Sequence, residues 1–408
     1  MQPSAFAEQN YRRPGYAPPV TSRWAMLGVI FLTRLSMGIQ FQSIASVAPL
    51  LISDLHIGYG QVGWLMGLFM LPGAAIAYPG GMLGRRFGER RLVLLGLALM
   101  TVGGLATALS ASFALAAAGH VASGTGGVLL NVMLTKMVAD WFAGRELATA
   151  MSVMLTSWPV GIGLALATLG TLAGATSWRV ALHLTVIATA IAFVLILALY
   201  RDPPTPHAAE ARRSALGSRE IRLAVLAGLV WGIFNASYVV FLSFAPGFLV
   251  ANGASVGAAG AVTSLAIWVT LASVPLGGLL ADRLKRPDLL TVGGSLLAMA
   301  ALLAFPYTGA PALSCFLIGV LAGAPPGAVM TLLPKALPPA GLATGLGIYY
   351  SVFYLAMTVA PGLAGMLRDR TGSAAAPIVF AGVLITVPII ALAAFRRVER
   401  RPQPTPVG

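Results

Sequence analysis

The sequence predicts an all-α membrane protein with twelve transmembrane helices in two pseudo-symmetric six-helix bundles. Of the 408 residues, 58% are hydrophobic and only 9% are charged, whereas a soluble domain carries about a quarter charged residues. The apolar residues fall into twelve runs, each close to the roughly 20 residues that a helix needs to cross a bilayer. A sequence pattern that recurs in the second half of the chain predicts that the two sets of six helices are related.

The twelve runs follow one another along the whole chain with short polar connections between them. The first run begins near Trp24 and is too long for the apolar core of a signal peptide, and no cleavage site is evident. It is therefore predicted to be the first membrane helix. The runs cover approximately residues 24–51, 59–83, 92–111, 113–139, 146–174, 179–200, 220–250, 257–281, 289–306, 311–336, 342–367 and 375–395.

The basic residues predict how the helices are oriented. Of the 26 Lys and Arg residues, 22 fall in the tails or in connections on one side, Arg179, Arg368 and Arg370 fall on the other side, and Arg34 lies within a helix. The positive-inside rule assigns the more basic side to the cytoplasm. We therefore expect a multi-pass protein of the cell inner membrane with cytoplasmic N- and C-termini. This placement accounts for the net charge of +14 without nucleic-acid binding.

The longest charged connection divides the chain into two halves. It runs from Arg201 to Arg222 and contains three prolines. The predicted organisation is a cytoplasmic N-terminal tail, a first six-helix bundle, a cytoplasmic central loop, a second six-helix bundle and a cytoplasmic tail. These parts cover residues 1–22, 23–200, 201–219, 220–396 and 397–408, respectively.

Two similar segments carry the internal repeat. Residues 79–86 read Pro-Gly-Gly-Met-Leu-Gly-Arg-Arg after the second predicted helix, and residues 275–283 read Pro-Leu-Gly-Gly-Leu-Leu-Ala-Asp-Arg after the eighth. Both are helix ends rich in small residues, which let membrane helices pack closely, and both lead into a short basic loop. The repeat supports two related bundles.

The first segment, extended to residues 81–91, resembles the loop 2–3 signature of the major facilitator superfamily, in which Gly-x-Leu-x-Asp-Arg-x-Gly precedes basic residues. The resemblance covers residues 24–396 through helix count, loop lengths and the half-repeat. It implies a major facilitator fold and a secondary transporter, not an enzyme, that works by alternating access. The residues of the gating-loop motif are Gly81, Arg85, Arg86, Gly88, Arg90, Asp140, Arg145, Asp282 and Arg283.

One departure from the family pattern concerns the cytoplasmic latch between the halves. Arg85 stands where the family has Asp, while the second copy keeps Asp282. In the family, that acid helps to latch the two halves together on the cytoplasmic side. Asp140 and Glu146, which flank Arg145, are candidates for a replacement acid. The alternative is that all of these residues are solvated loop charges.

The charges inside the predicted helices are the main guide to a substrate. All twelve acids fall in tails, loops or helix ends, so no carboxylate is available at mid-membrane to carry a proton or bind a cation. Arg34 lies about 15 Å past Trp24 along its helix, close to the midplane. Its guanidinium is predicted to face the central cavity and to bind a carboxylate or another oxyanion through two N–H groups. The alternative is that Arg34 snorkels or hydrogen-bonds helix carbonyls.

Other polar and aromatic residues are predicted to line the same cavity. The resemblance implies that helices 1, 4, 7 and 10 line it, with parts of helices 5, 8 and 11. Each of these residues has packing or a bridge between helices as its alternative role. The predicted substrate-binding residues are Arg34, Gln42, Asn131, Trp158, Trp231, Asn235, Tyr238, Tyr350 and Tyr354.

His120 and His183 are candidate proton carriers, because histidine titrates near neutral pH. A hydrogen-bonded structural role is the alternative for both. The single Cys315 lies in an apolar run, so neither an intrachain disulfide nor a cysteine metal site is predicted. The sequence has no phosphate-binding loop and no metal-ligand cluster, so we expect no cofactor, no metal and no direct use of ATP.

Together these observations favour a carrier of a small organic or inorganic anion, with proton symport as a further hypothesis. The combination of one buried arginine with no buried acid resembles the pattern of the cyanate-type porters of small anions. Nitrate porters have arginines inside helices 2 and 8, where this chain has none, so nitrate is disfavoured. The alternatives are an exporter of neutral or amphiphilic drug-like compounds and a non-transporting membrane sensor. The expected partners are a small anionic molecule, a proton and the lipid bilayer, without nucleic acid, and we expect a monomer.

Overall fold

The protein is described by a computed structural model that covers residues 20–76, 84, 86–143, 146–202 and 216–400. The described part is helical throughout, with turns between the helices. Seven helices of the first half have bounds within the described residues. They are α1 (Val20–Leu55), α2 (Tyr59–Leu68), α3 (Leu71–Ile76), α4 (Glu89–Ala108), α5 (Phe113–Trp141), α6 (Leu147–Ala175) and α7 (Trp178–Leu199).

Nine α-helices lie in the described part of the second half. Two of the predicted spans are each divided into shorter helices here. The elements are α8 (Ser218–Ala251), α9 (Val256–Leu284), α10 (Pro287–Ala304), α11 (Pro311–Ala322), α12 (Ala324–Met330), α13 (Leu332–Ala336), α14 (Pro339–Thr371), α15 (Ala376–Leu384) and α16 (Thr386–Glu399).

Eleven helical segments of the described chain are long and apolar enough to cross a membrane. They correspond to eleven of the twelve predicted spans. The remaining run, 59–83, begins as α2 and α3, and its residues 77–83 lie outside the described part. Within the run 311–336 the helix is broken near Gly323, just before Pro325 and Pro326, because proline cannot donate the backbone hydrogen bond that continues a helix.

The helices run back and forth between two faces of the bundle. We call the face where α1 begins and α16 ends the terminal face, and the face where α1 and α14 end the distal face. On the terminal face, Arg23 pairs with Glu146 at 2.9 Å. On the distal face, Arg179 pairs with Asp54 at 2.6 Å. All ion pairs in the described part of the chain join residues of the same half.

Large apolar side chains cover the outside of the helix bundle. They remain exposed on several helices, for example Val102 on α4, Val194 on α7 and Ile390 on α16. In a bilayer this surface contacts lipid tails, so its exposure carries no hydrophobic penalty. Association between the helices then depends on close packing and on polar contacts inside the bundle.

Glycines provide that close packing between α4 and α5. A Cβ atom added to Gly96 would lie 2.8 Å from the carbonyl oxygen of Gly126, closer than such atoms approach. Glycine at this position therefore allows the two backbones to contact each other. By contrast, a Cβ on the exposed Gly174 would meet no atom within 4 Å.

We predict that Gly96→Leu destabilises the protein by about 1–3 kcal/mol, because the added side chain overpacks the contact between α4 and α5. Gly174→Leu introduces the same side chain into open space and serves as the control. Thermal unfolding of the two purified variants measures the difference. Equal unfolding temperatures would contradict the assignment of Gly96 to a backbone contact.

Candidate functional site

The guanidinium of Arg34 in α1 is held by neutral oxygen atoms from two neighbouring helices. Nη1 donates to the carbonyl oxygens of Met154 at 3.2 Å and Leu155 at 3.1 Å in α6. Nε and Nη2 both donate to Oδ1 of Asn131 in α5, at 3.4 and 3.3 Å. The residue is only 8% exposed. The guanidinium thus hydrogen-bonds helix carbonyls, which was the alternative stated for it from the sequence, and no ion pair is found for it within the described chain; binding of an anion by Arg34 stays a prediction.

Pro159 explains why a backbone oxygen is available to Arg34. Proline has no N–H, so the carbonyl of Leu155, four residues earlier, loses the helix hydrogen bond it would otherwise accept. The Arg34 guanidinium supplies a donor to this oxygen instead. Pro159 therefore also helps to fix the position of the arginine.

The Arg34 site also includes side chains from the other half of the chain. Tyr350 and Tyr354 of α14 lie close enough to interact electrostatically with Arg34. The Tyr354 phenol also reaches the side chain of Asn131. Gly73 of α3 lies directly against the Tyr354 ring, where a Cβ atom would overlap it. Four of the predicted residues, Arg34, Asn131, Tyr350 and Tyr354, therefore converge at the boundary between the halves.

Aromatic rings extend from this cluster on both sides. In the first half, Trp158 packs on Phe41 with ring centroids 5.1 Å apart. In the second half, Tyr350 contacts Phe353 at 6.3 Å, and Phe353 stacks on Trp231 at 6.5 Å. Trp158, Trp231 and Tyr350 are only partly buried. The cluster thus combines one cation, an amide, two phenols and half-buried aromatic surface.

Three predicted substrate-binding residues make their hydrogen bonds outside this cluster. Gln42 is 1% exposed and donates to the Leu242 carbonyl of the other half at 3.3 Å. Tyr238 donates to the Ala266 carbonyl at 2.7 Å, within the second half. Asn235 donates at 2.8 Å to a carbonyl one turn earlier in its own helix. Their role in binding a substrate stays a prediction.

The two histidines also lie apart from Arg34. His120 is buried, with Nδ1 at 3.4 Å from the Thr107 hydroxyl. Its Nε2 and the Oε1 of Gln40 have no hydrogen-bond partner, and both residues line a small internal cavity of the first half. The ring of Phe69 packs against the His120 ring at 5.9 Å. His183 donates to a carbonyl of its own helix at 2.7 Å. Proton transfer by either residue stays a prediction.

Part of the gating-loop motif can be placed. Gly81, Arg85 and Arg145 lie outside the described residues. Gly88 precedes α4 with φ at +83°, a backbone conformation that favours glycine. Arg86 is exposed, with its guanidinium carbon 5.5 Å from the centre of the neighbouring Phe87 ring.

Other residues of the motif and their neighbours stabilise the first half at the terminal face. Arg90 donates to the Leu197 carbonyl at 2.8 Å, which joins the start of α4 to the end of α7. Lys136 pairs with Asp140 at 2.8 Å and also with Glu89. Asp140, a candidate replacement acid, is therefore neutralised within its own half.

The proposed replacement latch is not engaged in the described part of this structure. Glu146, the other candidate acid, pairs with Arg23 of the same half. Asp282 and Arg283 at the end of α9 are exposed, and neither forms an ion pair within the described chain. The terminal face therefore lacks an ionic latch between the halves among these residues.

The distal face has a polar seam between the halves that the sequence reading missed. Asp369 accepts hydrogen bonds from the first two backbone amides of α2, Tyr59 at 2.9 Å and Gly60 at 2.7 Å. Arg368, expected in a connection, is 93% buried beside Tyr59, being only 7% exposed. The signal that was missed is Gly372, which caps α14 with a φ of +67°. Because this glycine marks the helix end, α14 continues to Thr371, four residues beyond the predicted end at 367.

Comparison with known proteins finds the same family over residues 30–408. The sequence profile described as Major Facilitator Superfamily matches residues 30–251 and 223–408. The 3-(3-hydroxy-phenyl)propionate transporter of Escherichia coli (strain K12) is 27% identical over 85% of this chain and 88% of its own. The probable sulfoacetate transporter SauU of Cupriavidus necator is 24% identical over 91% and 93%, respectively.

A solved structure shares the fold. A bacterial homologue of the human lysosomal transporter Spinster, in an inward-facing and unoccupied conformation, superposes with a TM-score of 0.73. The two chains are 18% identical, and the match covers 96% of this chain and all of the other. This likeness concerns the arrangement of the helices.

We predict that Asp369→Asn shifts the protein towards a state with separated distal ends, because the charge-assisted hydrogen bonds to α2 are lost. A loss of about 1–2 kcal/mol shifts the population roughly 5- to 30-fold. Spin labels on the exposed Ser53 and Thr371 report the distance by double electron–electron resonance. The control is Asp282→Asn, which removes an exposed carboxylate at the terminal face. Identical distance distributions in both variants would contradict a role for Asp369 in distal closure.

Proposed function

Because the chain belongs to the Major Facilitator Superfamily, we propose that it carries a small organic anion across the membrane by alternating access, with Arg34 as the residue that binds the anion. The coarser part of this statement follows from the family. The protein is a multi-pass membrane transporter rather than an enzyme. The substrate class and the binding residues are the proposed part.

The observation that carries the proposal is the hydrogen bonding of the Arg34 guanidinium. Nε and Nη2 share a single oxygen, Oδ1 of Asn131, over distances of 3.3 and 3.4 Å. These bonds are longer than the roughly 2.7–2.9 Å typical of a guanidinium with a carboxylate. A carboxylate offers two oxygens to the same two donors, so it fits this edge better than the amide does.

The cost of burying a charge supports the same conclusion. A guanidinium loses its hydration when it is buried, and neutral acceptors compensate for that loss only weakly. A buried charge that has lost its counter-charge therefore carries a large free-energy penalty. No carboxylate forms an ion pair with Arg34 in the described chain. An anionic substrate would supply the missing charge, and Asn131 and Tyr354 could then hydrogen-bond its oxygens.

The partly buried aromatic rings favour an organic acid that carries an aromatic ring. Trp158, packed on the buried Phe41, lies on one side of the cluster, and Tyr350 and Phe353 lie on the other. Ring surfaces of this kind favour stacked or edge-to-face contacts with an aromatic substrate. Two relatives are named for the transport of organic acids. They are a hydroxyphenylpropionate transporter and a probable sulfoacetate transporter, and their names support an organic anion as the substrate class.

The contacts at the two faces suggest how access alternates. In this structure the distal ends are joined by Asp369 and α2, whereas ion pairs at the terminal face stay within each half. We assign the terminal face to the cytoplasm, since the sequence predicts that 22 of the 26 basic residues lie on the side where the chain begins. Opening of the distal seam would then expose Arg34 to the other side of the membrane. Inner-membrane location and proton symport are parts of this proposal.

We predict that Arg34→Ala lowers uptake of an aromatic carboxylate roughly 10- to 100-fold, as expected for the loss of a charged hydrogen-bonding partner. Arg34→Lys keeps the charge but not the two-pronged geometry, so its uptake should be intermediate. The measurement is transport of radiolabelled 3-phenylpropionate into vesicles, with sulfoacetate tested in parallel.

The matched control is Arg222→Ala, which removes an exposed arginine near the terminal face. It should transport like the unsubstituted protein. If Arg34→Ala transports the anions as well as this control does, Arg34 is not the residue that binds them.

A further inference from the structure

A second buried arginine lies at the distal end of the boundary between the halves. Arg368 is 7% exposed, and its Nη1 has no hydrogen-bond partner. Nη2 donates to the Tyr59 hydroxyl at 2.8 Å and to the Gly247 carbonyl at 3.5 Å. The guanidinium carbon lies 3.5 Å from the centre of the Tyr59 ring. The charge is therefore held by an aromatic face and two neutral oxygens.

The neighbouring acid forms neither a hydrogen bond nor an ion pair with this arginine. Both carboxylate oxygens of Asp369 accept backbone amides of α2 instead. No carboxylate oxygen lies within ion-pair distance of Arg368 in the described chain. The other distal cations differ: Arg179 pairs with Asp54 at 2.6 Å, and Arg370 is exposed. Among the described residues of the distal face, Arg368 is thus a buried arginine whose hydrogen-bond acceptors are all uncharged.

The partners of Arg368 belong to different halves of the protein. Tyr59 begins α2 in the first half, whereas Gly247 and Arg368 lie in α8 and α14 of the second half. Gly247 leaves room for the guanidinium, since a Cβ atom there would lie 3.0 Å from Nη1. When the distal ends separate, Tyr59 moves away with its half. Arg368 then keeps only the long contact to the Gly247 carbonyl.

We propose that Arg368 is a distal anion-binding subsite, which receives the carboxylate of the substrate when the distal face is open. The opened guanidinium presents free N–H donors in the geometry that a carboxylate accepts. In the closed state Tyr59 accepts from Nη2 and its ring covers the guanidinium, so closure displaces the anion towards Arg34. Arg368 lies about 21 Å along α14 from Tyr354 at the central site. This inference rests on the proposed transport of organic anions.

The test compares transport from the two faces of the membrane. Uptake of 3-phenylpropionate is measured in right-side-out and in inside-out vesicles for the unsubstituted protein, Arg368→Gln, Arg368→Lys and Arg370→Gln. We expect Arg368→Gln to raise the KM roughly tenfold from the distal face and less than about twofold from the terminal face, as for loss of one charged hydrogen bond. Arg368→Lys should restore part of the distal affinity, because it restores the charge.

Arg370→Gln is the matched control, since it removes an exposed arginine two residues away and should leave both KM values unchanged. An unchanged terminal KM also shows that Arg368→Gln is folded. A KM that is unchanged from the distal face, or raised equally from both faces, would overturn the subsite. If the unsubstituted protein transports no organic anion, the proposed function fails and the subsite fails with it. Loss of transport in Arg34→Ala together with unchanged kinetics in Arg368→Gln would overturn the subsite alone.

Discussion

The hydrogen bonding of Arg34 is the constraint on which the centre of the molecule depends. A guanidinium deep in a helix bundle needs acceptors, and the chain provides them from α5 and α6 rather than from an acid. Pro159 frees the carbonyl of Leu155, and Asn131 supplies an amide oxygen. These acceptors satisfy the donors without cancelling the positive charge, which therefore remains available to an anion.

The distal seam follows the same principle on a smaller scale. Polar groups of one half hydrogen-bond to groups of the other. Asp369 accepts from the backbone amides of α2, and Arg368 donates to the Tyr59 hydroxyl. Under the proposed alternating access, such contacts would be made in one conformation and lost in the other, so they would set the balance between two states without forming a permanent core. The terminal face differs, because its ion pairs stabilise each half separately.

Much of the fold could be predicted because apolar run length alone nearly determines a membrane helix. Eleven of the twelve predicted spans are present as apolar helical segments long enough to cross a membrane. The partners of Arg34 could not be predicted, since Asn131 and Leu155 are separated from it by about a hundred residues and meet it only through helix packing. The sequence could, however, have predicted that Pro159 leaves the Leu155 carbonyl without its helix hydrogen bond. Arg368 was missed because its helix continues to Thr371, four residues beyond the apolar run.

The most direct test of an anion at Arg34 compares two ligands of nearly identical shape. Isothermal titration of the purified, unsubstituted protein with 3-phenylpropionate and with 3-phenylpropanamide isolates the contribution of the negative charge. A cation that binds the carboxylate predicts at least about tenfold tighter binding of the acid than of the amide. Equal affinity for the two ligands, or tighter binding of the amide, would contradict an anion-binding role for the central arginine.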